Sequence, residues 1–484
     1  MPNAACGDCH RRTRGLKRRL RGQKTASSKT LNNMGAEKDI IIAVELASTA
    51  IRAIAGKREP DGSMQVLAFA QEDSPNTIRK GIIDNIDKTT QALSRVIAKL
   101  SDKLGVKVNS IYVGLGGQSL RSVHNRVLLQ FDGLELLSHK TIDKMFDTNS
   151  GVVYPNAEIK EVVPQEFTIG SRSIVDPVGM QAEMLEANFV NIVARPTLEE
   201  NIRKCVNGAG LEVQEVLISP LCEANALLSP NEKRSGCALV DMGSDTTTVS
   251  VYSNNILRHL CVIPLGGSNV TSDITSLKVE AEEAEELKKK YGTAYRADND
   301  DRAGEKVSLS FDRTEEVEKL QEIVEARYEE IIANVYHHIL AFKDKMLSGI
   351  IVTGGAARIP DLQQAFARQT GGDINVRIVK GHPENVTVSF GVQITDHDRL
   401  NTLYSLLLAG KENCVGEVAK APEQNVFDFE QKQEEAEKKV EPAAAEKSEP
   451  SDKSEKPKGP SAFKRIWSTF EKMLSDEPDG DDNE

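Results

Sequence analysis

From Asp39 onward, short apolar runs set between polar turns alternate with longer stretches of helical period. In "DIIIAVELASTAIRAIAG" two apolar runs flank a polar turn at Ala47 to Ala50, and "SMQVLAFAQE" predicts a third strand. Ile86, Leu93, Val96, Ile97 and Leu100 then recur at helical spacing, and Gly105 closes that helix. "VNSIYVGLGGQ" predicts a strand running into glycines. Residues 118–194 mix strand and helix patterns with prolines at Pro155, Pro164 and Pro177, which marks a separate small α+β insert. At Gly236 the first arrangement returns, because "GCALVDMGSDTTTVSVYSNNILRHLCVIPLGG" reads strand, polar turn, strand, turn, strand. In both copies the opening strand ends in an acid and a hydroxyl-rich turn follows, so the pattern implies an internal duplication. "VEAEEAEELKKKYG" and "EEVEKLQEIVEARYEEIIANVYHHILAF" are helical, and "SGIIVTGGAARIPDLQQAFARQTG" reads strand, glycine turn, helix. Such alternation predicts an α/β fold.

After Gly410 the apolar periodicity mostly disappears. Residues 430–460 are dominated by Glu, Lys, Pro, Ala and Ser, with Val440 as the single large aliphatic. Too little apolar area is available there to offset chain entropy, so an extended, solvated linker is expected. Beyond it, Phe463, Ile466, Trp467, Phe470 and Leu474 fall at i, i+3, i+4, i+7 and i+11 and form one helical stripe, with Met473 at its edge. Lys464, Arg465, Ser468, Glu471 and Lys472 take the flanks and far side, and Pro460 and Ser461 supply a stop and an N-cap. A helix of about 14 residues is marginal alone in water. Its stripe needs a receiver, which is the protein's own core, a partner groove or a lipid interface. Aromatics opposite Lys and Arg are the composition of an interfacial helix, and burying four or five such side chains is worth at most roughly 1.5–3 kcal/mol each.

Composition narrows the classes. A chain of 484 residues with 39% apolar residues holds two to four domain-sized units with real cores. A formal net charge of −12 argues against nucleic acid as the main partner. Charge is uneven: residues 1–33 carry nine Lys or Arg against Asp8, while the last ten residues carry six acids and no base. Seven scattered cysteines do not form a disulfide framework, which points to the reducing cytosol. No run approaches a spanning helix and no signal-peptide apolar segment follows the basic N-terminus. "CGDCH" at Cys6 to His10 matches a haem-attachment pattern, yet that chemistry follows export, and no second Cys/His pair sits at zinc-ligand spacing. Residues 1–36 are therefore expected to be a disordered basic arm, of which 1–33 would be absent if translation starts at Met34.

Three turns carry the candidate chemistry: "VELAST" (Val44 to Thr49), "VDMGSDTTT" (Val240 to Thr248) and "VTGGAAR" (Val352 to Arg358). Small residues let backbone N–H groups approach a polyanion, and Ser48, Thr49, Ser244, Thr246 and Thr247 add hydroxyl donors. Glu45 or Asp241, at a strand end, can hold a hydrated Mg²⁺ that offsets phosphate charge. Each turn alone fits a plain bend; together they are much stronger evidence for a site that takes a phosphate-bearing polyanion.

Two acid-and-hydroxyl hairpins from duplicated halves, followed by a "TGG" turn opening a helix, resemble the phosphate-1, phosphate-2 and adenosine motifs of the actin, Hsp70 and sugar-kinase superfamily. "SIYVGLGGQ", "VVPQEFTI", "DPVGM", "PLGGSNVTSDI" and "GIIVTGGAARIPDL" are similar, in the same order, to stretches of the FtsA family of bacterial cell-division proteins, over roughly Asp39 to Gly410. The resemblance implies an actin-like fold of duplicated ribonuclease-H-type lobes around a nucleotide cleft. It divides the chain into subdomain 1A (37–117 and 195–235), a 1C insert (118–194), subdomain 2A (236–272), subdomain 2B (273–335) and a closing 2A/1A part (336–410). A linker (411–460), an amphipathic membrane-targeting helix (461–475) and an acidic tail (476–484) follow. It further implies ATP and Mg²⁺ as cofactors, with Glu45, Ser48 and Thr49 facing the phosphates from one lobe and Asp241, Gly243, Ser244, Thr246 and Thr247 from the other. Gly354, Gly355 and Ala356 would pass under the adenosine, and Lys288 would reach the nucleotide from subdomain 2B; the bland reading of Lys288 is a solvated helix charge.

Implied partners are the tail of the tubulin-like FtsZ at subdomain 2B, further copies of the chain in filaments, later division proteins at the 1C insert, and the cytoplasmic face of the cell membrane at the division site. Two departures from the family pattern stand out. Ala47 replaces a glycine, and Asp245 interrupts a glycine run, so one β-carbon and one carboxylate are expected to crowd or repel phosphate. No general base stands out, so the expected enzyme activity is at most a slow ATPase. The alternatives are a sugar-kinase-like phosphoryl-transfer enzyme and a pilus-assembly or cell-shape actin relative.

Overall fold

The computed structural model describes residues 39–416 except 75, 298–303 and 311–312. The predicted N-terminal arm, the linker beyond 416, the terminal helix and the acidic tail lie outside the described residues. The fold begins with β1 (Ile40–Leu46), β2 (Ala50–Arg58) and β3 (Met64–Asp73), an antiparallel meander. A short hairpin, β4 (Ile78–Arg79) and β5 (Ile82–Ile83), leads to α1 (Ile86–Leu104). Asn85 caps α1 by accepting from the Lys88 N–H, and Gly105 ends it at φ +68°. Leu93, Val96, Ile97 and Leu100 give α1 its buried face. β6 (Ser110–Leu115) then runs parallel to β1.

The insert follows: β7 (Arg121–Leu136), α2 (His139–Ser150), β8 (Glu158–Ile169), β9 (Arg172–Ile174) and β10 (Gln181–Ala194). It has its own core, in which Ile142, Phe146, Phe167 and Phe189 pack together. The chain returns through α3 (Pro196–Gly208), β11 (Glu212–Ile218), α4 (Ser219–Leu227) and α5 (Pro230–Ser235).

The second lobe comprises β12 (Cys237–Met242), β13 (Thr247–Ser253), β14 (Ile256–Ile263), α6 (Gly267–Ile274), α7 (Ala281–Tyr291), the hairpin β15 (Lys306–Leu309) and β16 (Arg313–Glu316), α8 (Val317–Ile339), β17 (Ile350–Thr353), α9 (Leu362–Thr370) and β18 (Val376–Ile378). β19 (Val386–Val388) joins β3, and α10 (Asn401–Ala409) packs on the first lobe against α4 and β1.

Strand order makes the duplication explicit. One sheet runs β11-β6-β1-β2-β3, extended by β19, and the other runs β18-β17-β12-β13-β14. In each, a meander is flanked on one side by two parallel strands. The strands at the centres, β1 and β12, are almost wholly apolar and buried, as strands covered on both faces must be.

Two features differ from the sequence reading. The insert is not a free-standing unit, because Arg121 of β7 pairs with Cys261 of β14 and extends the second sheet to nine strands. Gln165 donates to the Leu257 carbonyl at 3.0 Å and Arg258 pairs with Glu166 at 2.6 Å, which fixes the same seam. Nor does the linker start at 411. Cys414 is buried, its N–H donates to the Ile40 carbonyl at 2.8 Å, and Val415 bridges to Val108, so residues 411–416 belong to the folded body.

Candidate functional site

The two meanders point their first turns at each other across a cleft of about 1050 Å³. From the first lobe come Glu45, Ser48 and Thr49; from the second come Asp241, Gly243, Ser244 and Thr246. Gly354, Gly355 and Ala356 form one wall and Lys288 another. Of the residues expected here, only Thr247 turns away. It is fully buried and its hydroxyl donates to the Leu265 carbonyl at 2.9 Å, while Thr248 lines the cleft. Strand alternation is the reason, since Thr247 shares the parity of Val249 and Val251, which face the core.

The first turn is held by a residue the sequence reading missed. Arg52 lies opposite Glu45 in the β1–β2 register and is 6% exposed. Its guanidinium donates to Glu45 Oε2 and to Thr49 Oγ1, both at 3.1 Å. Ser74 braces the same turn, its hydroxyl donating to the Ala47 carbonyl at 2.9 Å. Ala47 has no positive φ, so the backbone there does not require the glycine it replaces.

The second turn is knit to the start of α6. The Gly267 N–H donates to the Gly243 carbonyl at 3.1 Å, and the Ser268 N–H to the Ser244 carbonyl at 2.8 Å. Asp245 does not stand free: it accepts from the Ser268 hydroxyl at 2.7 Å and from the Lys80 N–H at 3.0 Å. Lys80 lies between β4 and β5, so this carboxylate links the two lobes across the cleft.

At the wall formed by residues 354–356, the β12–β17 register sets Thr353 beside Asp241, and Gly354 follows at φ +96°. A Cβ on Gly354 would fall 2.3 Å from Asp241 Oδ1 and 2.5 Å from the Met242 carbonyl oxygen, so this position requires glycine. The buried Tyr328 of α8 donates to the Ala356 carbonyl at 2.8 Å and fixes the strip. Lys288 is not a solvated charge. Its ammonium meets Glu285 at 2.5 Å, Thr271 Oγ1 at 2.7 Å and the Gly267 carbonyl at 3.0 Å, and burial lowers its pKa.

Acids crowd the cleft floor. Burial, with Glu45 nearby, pushes Asp241 up to about 7. Glu223 of α4, also missed in the sequence, is 3% exposed and is held well above the usual carboxylate range by burial and then by Asp241. Its carboxylate accepts from the Thr402 hydroxyl. The donor set suits a hydrated divalent cation, because oxygen ligands that repel one another are what such an ion relieves. Without a cation, a carboxyl raised in the folded state stabilises the fold below about pH 4 and loses that contribution as pH rises through 7. Mg²⁺ favours the ionised form, so the rise in thermal midpoint on adding Mg²⁺ should be larger at pH 8 than at pH 6. An equal rise at both, or a larger one at pH 6, would contradict the expectation that Asp241 is the carboxylate that holds such a cation.

A duplicated pair of meanders closing on such a cleft, with an acid at each first turn and a glycine strip between, defines a protein of the actin-like class. The solved PilM–PilN type IV pilus biogenesis complex shares the fold, with a TM-score of 0.54 at 15% identity over 76% of this chain and 98% of that chain. By sequence, the model for "Cell division protein FtsA" matches residues 238–392 and that for "SHS2 domain inserted in FTSA" matches residues 117–193. The Cell division protein FtsA of Porphyromonas gingivalis is 32% identical over 69% of this chain and 71% of its own length. That of Pseudomonas aeruginosa is 29% identical over 66% and 78%, and that of Escherichia coli K12 is 27% identical over 78% and 91%. The chain belongs to the FtsA family of cell-division proteins.

Proposed function

We propose that the protein is an ATP-binding scaffold that polymerises and tethers the tubulin-like FtsZ polymer to the cytoplasmic face of the cell membrane at the division site. The observation that carries this reading is the pair of facing turns, braced by Arg52 on one side and by α6 on the other, which presents small residues and hydroxyls to one cleft. Backbone amides and hydroxyls of Ser48, Thr49, Ser244 and Thr246 would bind the phosphates, and Gly354 to Ala356 would lie against the adenosine. Asp241 would hold Mg²⁺ through water, and the ion would supply positive charge against the phosphates. Lys288, with three protein partners, positions α6 and α7 around the cleft.

Subdomain 2B, at 273–335, is the proposed dock for the FtsZ tail, and the insert at 118–194 the proposed contact for later division proteins. Among the described residues no helix is long and apolar enough to cross a membrane. Attachment is assigned instead to the stripe Phe463, Ile466, Trp467, Phe470 and Leu474 with Lys464 and Arg465 beside it. Weak single-site binding would gain strength from multivalency in a filament.

Liposome co-sedimentation tests the attachment. The full chain should pellet with liposomes, and a chain ending at Gly459 should remain in the supernatant with or without ATP. Equal pelleting of both would refute the tail's role.

A further inference from the structure

Outside the nucleotide cleft, two imidazoles and a thiol converge at the seam between the second lobe and the insert. We propose that His259, Cys261 and His338 form a binding site for a zinc-type divalent metal. His259 and Cys261 are two apart on β14 and so share a face, and His338 lies in the last turn of α8, which covers that face. One ligand atom from each lies within 4.8 Å of the others. His259 Nε2 and His338 Nδ1 are 3.4 Å apart, close to the edge of about 3.3 Å that two nitrogens make around a tetrahedral zinc. The sulfur would have to approach by on the order of 1 Å to complete a zinc–thiolate bond, a side-chain movement.

The surroundings support ligation. Cys261 is 9% exposed, so its thiol sits inside the fold beside the two rings. Metal binding would then form a sulfur–metal bond and release the thiol proton to solvent, with water in the fourth position. Ser122 of β7 stands 3.5 Å from His259 Nδ1 while accepting from the Leu260 N–H at 2.9 Å. With metal on Nε2, the Nδ1–H would donate to this hydroxyl, the second contact that orients a ligating histidine. Because Ser122 belongs to the insert, the metal would fasten α8, β14 and the start of β7 together.

The test uses the full-length chain with Cys6→Ser and Cys9→Ser, which removes the other Cys/His set in the sequence. After chelator dialysis it is titrated separately with Zn²⁺ and Co²⁺. Expected are one zinc per chain by elemental analysis, a raised thermal midpoint, and with cobalt a thiolate charge-transfer absorption together with tetrahedral ligand-field bands. His259→Gln and His338→Gln should each weaken zinc binding by more than about 100-fold, and Cys261→Ser should abolish the charge-transfer absorption. Apo midpoints separate ligand loss from misfolding, and Phe342→Leu, beside the stacked rings, should leave zinc affinity unchanged. No bound zinc, or unchanged zinc affinity in a chain carrying both His259→Gln and His338→Gln, overturns the proposal.

Discussion

Replacing Arg52 with methionine is expected to destabilise the fold by about 3–5 kcal/mol, the cost of removing one partner from a buried ion pair. The side chains of Arg52 and Glu45 are only 8% and 17% exposed, so little solvent screens the loss. Glu45 would be left facing Asp241 without its counter-charge, and Thr49 would lose the donor that sets its hydroxyl. Lysine should recover only part of the loss, because one ammonium cannot span both acceptors as the guanidinium fork does. The urea unfolding midpoint checks this. A loss below about 1 kcal/mol, typical of exposed pairs, would show that the bridge is not structural. The same variant should bind ATP poorly even where it is folded, since the turn it braces is the one assigned to phosphate.

The second large effect is expected at Gly354. An alanine Cβ would meet Asp241 Oδ1 at 2.3 Å on a backbone at φ +96°. Conformational strain of about 1–3 kcal/mol comes first, and displacement of Asp241 and the strip follows. ATP affinity should fall roughly 100-fold, about 2.7 kcal/mol, in equilibrium binding measurements. Gly62 provides the control, with φ +86° but nothing within 4 Å of a built Cβ. Gly62→Ala should carry the strain without the loss of affinity, and matched losses in both variants would show that crowding at Asp241 is irrelevant.

The order of strands and helices was legible because each apolar run is short, turns are rich in small polar residues, and the same grammar occurs twice. What could be read of the site was local: Glu45, Ser48, Asp241 and the glycines of 354–355 lie within a few residues of a strand end. Thr247 could have been read correctly from alternation with Val249 and Val251. Arg52 too had a signal, a charge set within the apolar first half of β2 and placed opposite Glu45 by a symmetric turn. Glu223 and Asp245 are different, for their partners, Thr402 and Lys80, are remote in sequence and only the folded chain brings them together. The insert's junction with β14 was equally hidden, since it depends on a strand edge with no sequence mark. Likewise the 411–416 segment has no periodicity, and what ties it down is the buried Cys414 with hydrogen bonds to residues remote in sequence, Ile40 and Tyr112.

The central claim is that one chain uses its nucleotide-bound body to hold FtsZ and its C-terminal stripe to hold a membrane. Its most direct test is pelleting of FtsZ polymer with liposomes in the presence of the full chain, ATP and Mg²⁺. FtsZ should appear in the pellet with the full chain and stay in the supernatant when the chain ends at Gly459 or carries Gly354→Ala. Recovery of FtsZ with the liposomes at the same level in all three cases, or in none, would contradict the claim.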